Sequence, residues 1–214
     1  RLFEQICTLP EYYPTRCELL ILERYLPDMA EALGPACQVI EPGSGEGLKT
    51  RHLLQALHEP VAFLPIDVAD EQLAEAAEAL RADFPKLDVL PQHGDFTHLQ
   101  SFPALGRARR RVFYFPGSTI GNFVPDQAAA LLASWRALAG DNGALLIGVD
   151  LRKDKVIIEA AYNDSQGVTA AFNRNILRHL NRRFGSDFDE QAWSHRAFFD
   201  EPSGQIQMWL DTAT

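Results

Sequence analysis

Val39-Ile40-Glu41-Pro42-Gly43-Ser44-Gly45-Glu46-Gly47 is the stretch from which the rest of the chain is read. An apolar run ends on an acidic residue, glycines follow at three alternate positions, and an apolar-periodic segment opens at Leu48. This is the pattern of a buried strand running into a tight turn and then a helix, with glycine wherever a side chain would obstruct a ligand. The spacing departs from the G-x-G-x-x-G of a dinucleotide site, because Leu48 stands where the last glycine should be. It is instead the E-x-G-x-G turn expected of a fold that binds S-adenosylmethionine. There the glycine backbone faces the methionine portion, and no pyrophosphate has to be cradled. Tight packing alone can also produce a glycine-rich turn of this kind.

Outward from this turn, strand and helix patterns alternate. Upstream, Thr15-Arg16-Cys17-Glu18 has the spacing of a capping box. It predicts a helix carrying Leu19, Leu22 and Leu26 on one side, which Pro27 should end or kink. Gln38 to Glu41 is the first strand, and a helix is expected from about Leu48 to Leu57. Ala62 to Ile66 is a second strand ending at Asp67, after which Asp70 can cap a helix through Phe84. Further strands are expected near Val89-Leu90, at Arg111 to Phe115 and at Ala144 to Val149. Between the last two, Asp126 should cap a helix that Gly140 closes. The fold class is therefore α/β, a doubly wound parallel Rossmann-like sheet covered on both faces. Beyond Asp150, Lys155 to Asn163 and Val168 to Phe184 read as helices, the second stopped by Gly185, and Gln205 to Leu210 as a later strand. The expected organisation has three parts. Residues 1–34 form a helical segment contributing to the substrate site, 35–150 the cofactor-binding core, and 151–214 a helical substrate-capping insertion with the start of an accessory domain.

Composition narrows the functional classes. With 46% hydrophobic and 23% charged residues over 214 positions, the chain is ordinary globular protein with enough length for a full core. A formal net charge of −9 argues against a general nucleic-acid binder. The local run Arg107-Ala108-Arg109-Arg110-Arg111 is expected to be a solvated loop rather than a phosphate site. Cys7, Cys17 and Cys37 show no C-x-x-C pairing and read as reduced thiols of a cytoplasmic protein. The six histidines form no ligand cluster, so no metal is expected. No apolar run reaches the ~18 residues of a membrane span. A monomer without nucleic-acid or membrane partners is the expected state. The chain opens on Arg1 without an initiator methionine and looks like a piece excised from a longer protein.

Candidate polar residues follow the strand ends: Glu41, Asp67, Asp95, Asn122 and Asp150. In such sheets ligands bind beyond the carboxyl ends of the strands. Asp67 suits a ribose diol, since a carboxylate can accept both hydroxyl protons; Asp70 competes for that role, with helix capping as its plainer use. Asp95 followed by Phe96 suits adenine, the carboxylate accepting from the exocyclic amine and the ring lying against the base, although Asp95 can also serve a turn. Lys49 can pair with the methionyl carboxylate or be an exposed helix lysine. Asn122, in Gly117-Ser118-Thr119-Ile120-Gly121-Asn122, offers a donor and an acceptor to an amino acid, or simply occupies a turn.

Several segments carry a closer likeness. Leu9-Pro10-Glu11-Tyr12-Tyr13-Pro14-Thr15-Arg16, Gly117 to Asn122, Ala161-Tyr162-Asn163-Asp164 and Gly167-Val168-Thr169-Ala170-Ala171-Phe172-Asn173-Arg174-Asn175 resemble the histidine-specific Nα-methyltransferases of ergothioneine biosynthesis. The resemblance implies an enzyme that transfers three methyl groups from S-adenosylmethionine to the α-amine of L-histidine. Carried over by position, it implies that Gly43, Ser44, Gly45, Lys49, Asp67, Asp95 and Phe96 hold the cofactor. Tyr13, Asn122 and Tyr162 would hold the ammonium and carboxylate end of the amino acid, with Tyr12 the neighbour that could exchange roles with Tyr13. Asn122 and Tyr162 are the pair expected to act on the reacting amine, Asn122 by orientation and not as a base. Members of the family are longer at both ends, and a glutamate and a serine that read the imidazole lie in their C-terminal part, outside the residues of this chain. Methylation of another amine, such as a tryptophan-like one, and a non-catalytic S-adenosylmethionine-binding module are the competing readings.

Overall fold

In the computed structural model, residues 2–45, 47–103 and 105–212 are described; Glu46 of the opening stretch and the terminal Ala213 and Thr214 lie outside them. Cys37–Pro42 forms strand β1, buried along its whole length. Ala62–Asp67 forms β2, and Arg110–Phe115 forms β5. Their predominantly apolar middles are what a strand covered on both faces requires. Two two-residue strands, β3 (Asp88–Val89) and β4 (Gln92–His93), both pair with β2, and Ala144–Ile147 forms β6. The sheet order is β3-β2-β1-β5-β6, and every pairing is parallel. β1 lies between β2 and β5, so the strand order reverses there and the crevice for a ligand opens beyond its carboxyl end.

The chain divides into two compact units, 18–149 and a second one made of 1–17 with 150–214. The boundary falls inside helix α2 (Tyr13–Leu33) and directly after the segment that follows β6. In the first unit, helices α3 (Leu48–Ala56), α4 (Asp70–Asp83) and α5 (Pro125–Ala139) connect the strands. One apolar cluster gathers Val39, Leu53, Phe63, Leu80 and Val112, and another gathers Ile40, Leu64, Phe113, Phe115 and Trp135. Trp135 stacks on Phe113 at 5.1 Å and meets Phe115 edge-on at 4.9 Å. The second unit contains α1 (Leu2–Thr8), α6 (Lys155–Tyr162), α7 (Val168–Phe184) and the antiparallel hairpin of β7 (Trp193–Asp200) and β8 (Gln205–Thr212). Ile6, Leu9, Tyr12 and Ala161 form its buried cluster.

Several sequence expectations are corrected. α2 begins at Tyr13 and not at the Thr15 capping box, and it runs through Pro27 to Leu33. α4 has Ala69 and α5 has Val124 at the N-cap, so Asp70 and Asp126 lie in the first turn. There they favour the positive helix end without capping it. The strand expected at Val89-Leu90 is two fragments flanking Pro91, a residue with no N–H to give a ladder and tolerated here at the sheet edge. The arginine run is a solvated loop only in part: Arg107 and Arg109 are exposed in the loop before β5, whereas Arg110 and Arg111 open the strand. Arg110 donates to the carbonyls of Ala32 (2.8 Å) and Leu33 (3.1 Å) at the end of α2, and Arg111 donates to that of Leu138 (3.0 Å) near the end of α5. Helix ends leave carbonyls unpaired, and these guanidinium groups pair them. Gly140 and Gly185 close α5 and α7 in left-handed φ, as expected.

Candidate active site

The turn after β1 is built from left-handed backbone: φ is +69° at Gly43, +51° at Gly45 and +70° at Gly47. Side chains rarely adopt that region, so the alternating glycines answer a conformational demand. The Gly43 N–H donates to the Ile66 carbonyl at 2.7 Å, which continues the β1–β2 pairing into the turn. A Cβ on Gly43 would stand 3.3 Å from Phe96 Cε1, whereas one on Gly45 would meet open space. The Gly45 N–H donates to Asp67 Oδ2 at 3.2 Å, and Asp67 Oδ1 accepts from the Ala69 N–H at 3.0 Å. Gly43, Gly45, Asp67 and Phe96 are thus brought together at the carboxyl edge of β1 and β2. Ser44 Oγ is buried and has no hydrogen-bond partner among the described residues.

Glu41, immediately before this turn, is fully sequestered and bonded to Thr50 Oγ1. Burial pushes its carboxyl up to about 8, against the lowering effects of the Thr50 hydroxyl and the Lys49 ammonium. Asp95 is exposed and accepts from Thr97 N and Oγ1 at 2.9 and 2.7 Å and from His98 Nδ1 at 3.0 Å. The Thr97 hydrogen bonds hold its carboxyl below the usual range. Its turn role is therefore real, and Phe96 beside it packs edge-on to Phe115 at 5.8 Å.

Lys49 is neither exposed nor alone: its ammonium pairs with Glu18. Glu18, which spacing suggested as half of a capping box, accepts the Gly117 N–H on both oxygens at 2.8 and 2.9 Å. Sequence reasoning missed this carboxylate as a site residue: Glu18 lies just past the Leu9–Arg16 motif, but its partners are 31 and 99 residues away in the chain and no local pattern signals them. Asn122 ends the short turn Thr119–Asn122 after β5, and it is exposed.

In the second unit, Tyr13 Oη donates to Asp150 Oδ2 at 2.5 Å and accepts from Lys153 Nζ at 3.0 Å. Burial first, and then the Asp150 hydrogen bond, raises the Tyr13 phenol well above its ordinary range. Tyr13 therefore stays protonated with its proton committed to Asp150. Tyr162 meets Tyr12 edge-on at 5.8 Å, and its carbonyl faces His195 Nε2 at 2.8 Å. Arg16 donates to the carbonyls of Leu9 (2.8 Å), Pro10 (2.7 Å) and Tyr12 (3.2 Å), which fixes the Leu9–Arg16 turn. Asp164 caps α7 through the N–H groups of Val168 and Thr169 at 2.8 and 2.7 Å. The strand-end position of Asp150 was legible, but Lys153 was not singled out. A surface groove of about 600 Å³, lined by Arg81, Leu90, Gln92 and Phe102 among others, shares no residue with the glycine turn.

A parallel sheet with reversed strand order, a glycine turn after β1 and an acid at the end of β2 defines the class I S-adenosylmethionine-dependent methyltransferase fold. A Thermobifida fusca YX protein whose crystal structure carries a methyltransferase designation matches it at a TM-score of 0.56 and 13% identity, over 100% of this chain and 87% of that one. The chain belongs to the family described as histidine-specific methyltransferases, SAM-dependent, whose model matches residues 1–214. It is 41% identical to a histidine N-alpha-methyltransferase of Mycolicibacterium smegmatis, covering 100% of this chain and 66% of that protein. It is 32% identical to ergothioneine biosynthesis protein 1 of Schizosaccharomyces pombe, over 98% of this chain and 29% of that one. The chain thus spans about two thirds of the bacterial relative's length.

Proposed function

We propose that the complete protein methylates the α-amine of L-histidine three times, giving the trimethylated betaine used for ergothioneine biosynthesis. The observation that carries this reading is the glycine turn with Asp67 at its side, in a chain of this family. The residues present fit S-adenosylmethionine. Left-handed glycines leave the backbone open to a ligand at Gly45, and Ser44 Oγ is buried and unpaired. Asp67 keeps acceptor capacity beyond its two backbone bonds for a ribose diol. Asp95 and Phe96 would hold the adenine, and Lys49 the methionyl carboxylate. When bound, S-adenosylmethionine supplies an electrophilic methyl group.

The nucleophile has to be a neutral amine; its proton leaves to water, and the protein's own work is to bind and orient it. Tyr13 is held as a hydrogen-bond acceptor, because its proton already goes to Asp150. One lone pair meets Lys153, and the other is left for an N–H of the substrate. Asn122 and Tyr162 orient the amino acid, and positioning of this kind can supply several kcal/mol of barrier lowering. We read the protein as a cytoplasmic monomer without nucleic-acid or membrane partners; the net charge of −9 supports the lack of a nucleic-acid partner. No helix among the described residues is long and apolar enough to cross a membrane. The test is transfer of labelled methyl groups from S-adenosylmethionine to histidine by wild type and by Asn122→Ala. The variant should lose affinity and rate together; wild-type kinetics would remove Asn122 from the site, and no transfer by wild type would overturn the reading.

A further inference from the structure

We propose that Glu18 is a positioning residue of the methyl-donor site, a latch that orients Lys49 and the loop carrying Asn122. The proposal rests on the S-adenosylmethionine reading above. Three segments that follow three different strands meet at its carboxylate. Lys49, in the first turn of α3 after β1, forms an ion pair with it. Gly117, two residues beyond β5, donates one N–H to both of its oxygens. Gly148, directly after β6, comes so close that a Cβ there would lie 2.1 Å from Oε1. Gly148 has no left-handed φ to explain it, so space for the carboxylate is the reason a glycine stands there.

The physical demands of the group point the same way. The Glu18 side chain is only 15% exposed and that of Lys49 19%. A carboxylate so withdrawn from water needs a counter-ion and hydrogen-bond donors, and it has both. An N–H to a carboxylate is a charge-assisted bond, stronger and shorter than a neutral one. A lysine with one of its three donors fixed presents the other two in a defined direction, whereas a free one samples many rotamers. Glu18 therefore acts through Lys49 on the methionyl carboxylate, and through Gly117 on the loop that ends at Asn122. It touches neither ligand itself. Its negative charge would by itself repel an anionic ligand group, so removing it would tighten binding if positioning were unimportant.

Binding of S-adenosylmethionine and of 5′-methylthioadenosine, which lacks the methionyl carboxylate, to the complete protein separates these cases by calorimetry. Glu18→Gln and Gly148→Ala should each weaken S-adenosylmethionine about tenfold, the size of one lost charge-assisted contact, and 5′-methylthioadenosine less than twofold. In a Lys49→Met background the Glu18→Gln loss should vanish, because the two residues act as one unit. Glu18→Asp should recover part of the affinity. Unchanged or tighter binding in Glu18→Gln, equal losses for both ligands, or losses that add to that of Lys49→Met would overturn the proposal. Failure of the wild type to bind S-adenosylmethionine would instead overturn the cofactor reading on which it rests.

Discussion

Asp150 is the residue whose removal should tell most about the amine site. Asp150→Asn removes the charge that holds both the Tyr13 proton and the Lys153 ammonium. The rate should fall roughly tenfold, as for one charge-assisted hydrogen bond, with an unchanged circular dichroism spectrum. Glu41 gives a pH signature of a different kind. Its carboxyl is raised from an ordinary 4.5 to about 8 by burial, so the folded protein holds a proton that the unfolded chain releases. The stabilisation is complete below about pH 4.5 and is lost as pH rises through about 8. In urea titrations from pH 5 to 8 the Glu41→Gln variant should lose less stability than wild type; parallel curves would show that Glu41 ionises without cost. Gly43→Ala should cost about 1 to 2 kcal/mol of stability, because a side chain is forced into left-handed φ against the Phe96 ring.

Helix ends and strand edges are where local pattern and observed structure part. The interior strands were legible almost to the residue, since a parallel strand covered on both faces is mostly apolar, and a glycine turn marks where β1 stops. Capping spacings were misleading at Thr15, Asp70 and Asp126. A spacing describes what a side chain can do locally, while tertiary partners decide what it does: Glu18 faces Gly117 and Lys49. The same holds for Arg110 and Arg111, whose carbonyl partners are distant in sequence. Arg110→Ala should destabilise by about 1 to 2 kcal/mol by leaving the end of α2 unpaired, measured as a shift in the urea midpoint with unchanged slope. β7 went unread, although Asp200-Glu201-Pro202-Ser203-Gly204 carried the signal. Asp200 accepts the Ser203 N–H at 3.0 Å, and Gly204 turns with φ +69° into β8.

For the chain as a whole, the sheet and its glycine turn follow from general physics, whereas the choice of substrate does not. Strand periodicity and the E-x-G-x-G turn sufficed for the fold, because backbone geometry there constrains residue type directly. Tyr13 and Tyr162 were assigned only by resemblance, and Asn122 also by its strand-end position and its amide, since a tyrosine or an asparagine in a turn has many uses. Family membership and 41% identity to a histidine N-alpha-methyltransferase are the ground on which histidine is proposed as the substrate of the complete protein. The most direct test is incubation of the complete protein with S-adenosylmethionine and an equimolar mixture of the natural amino acids, read by mass spectrometry. Histidine alone should gain three methyl groups; trimethylation of any other amino acid in its place, or no methylated product at all, would contradict the histidine assignment.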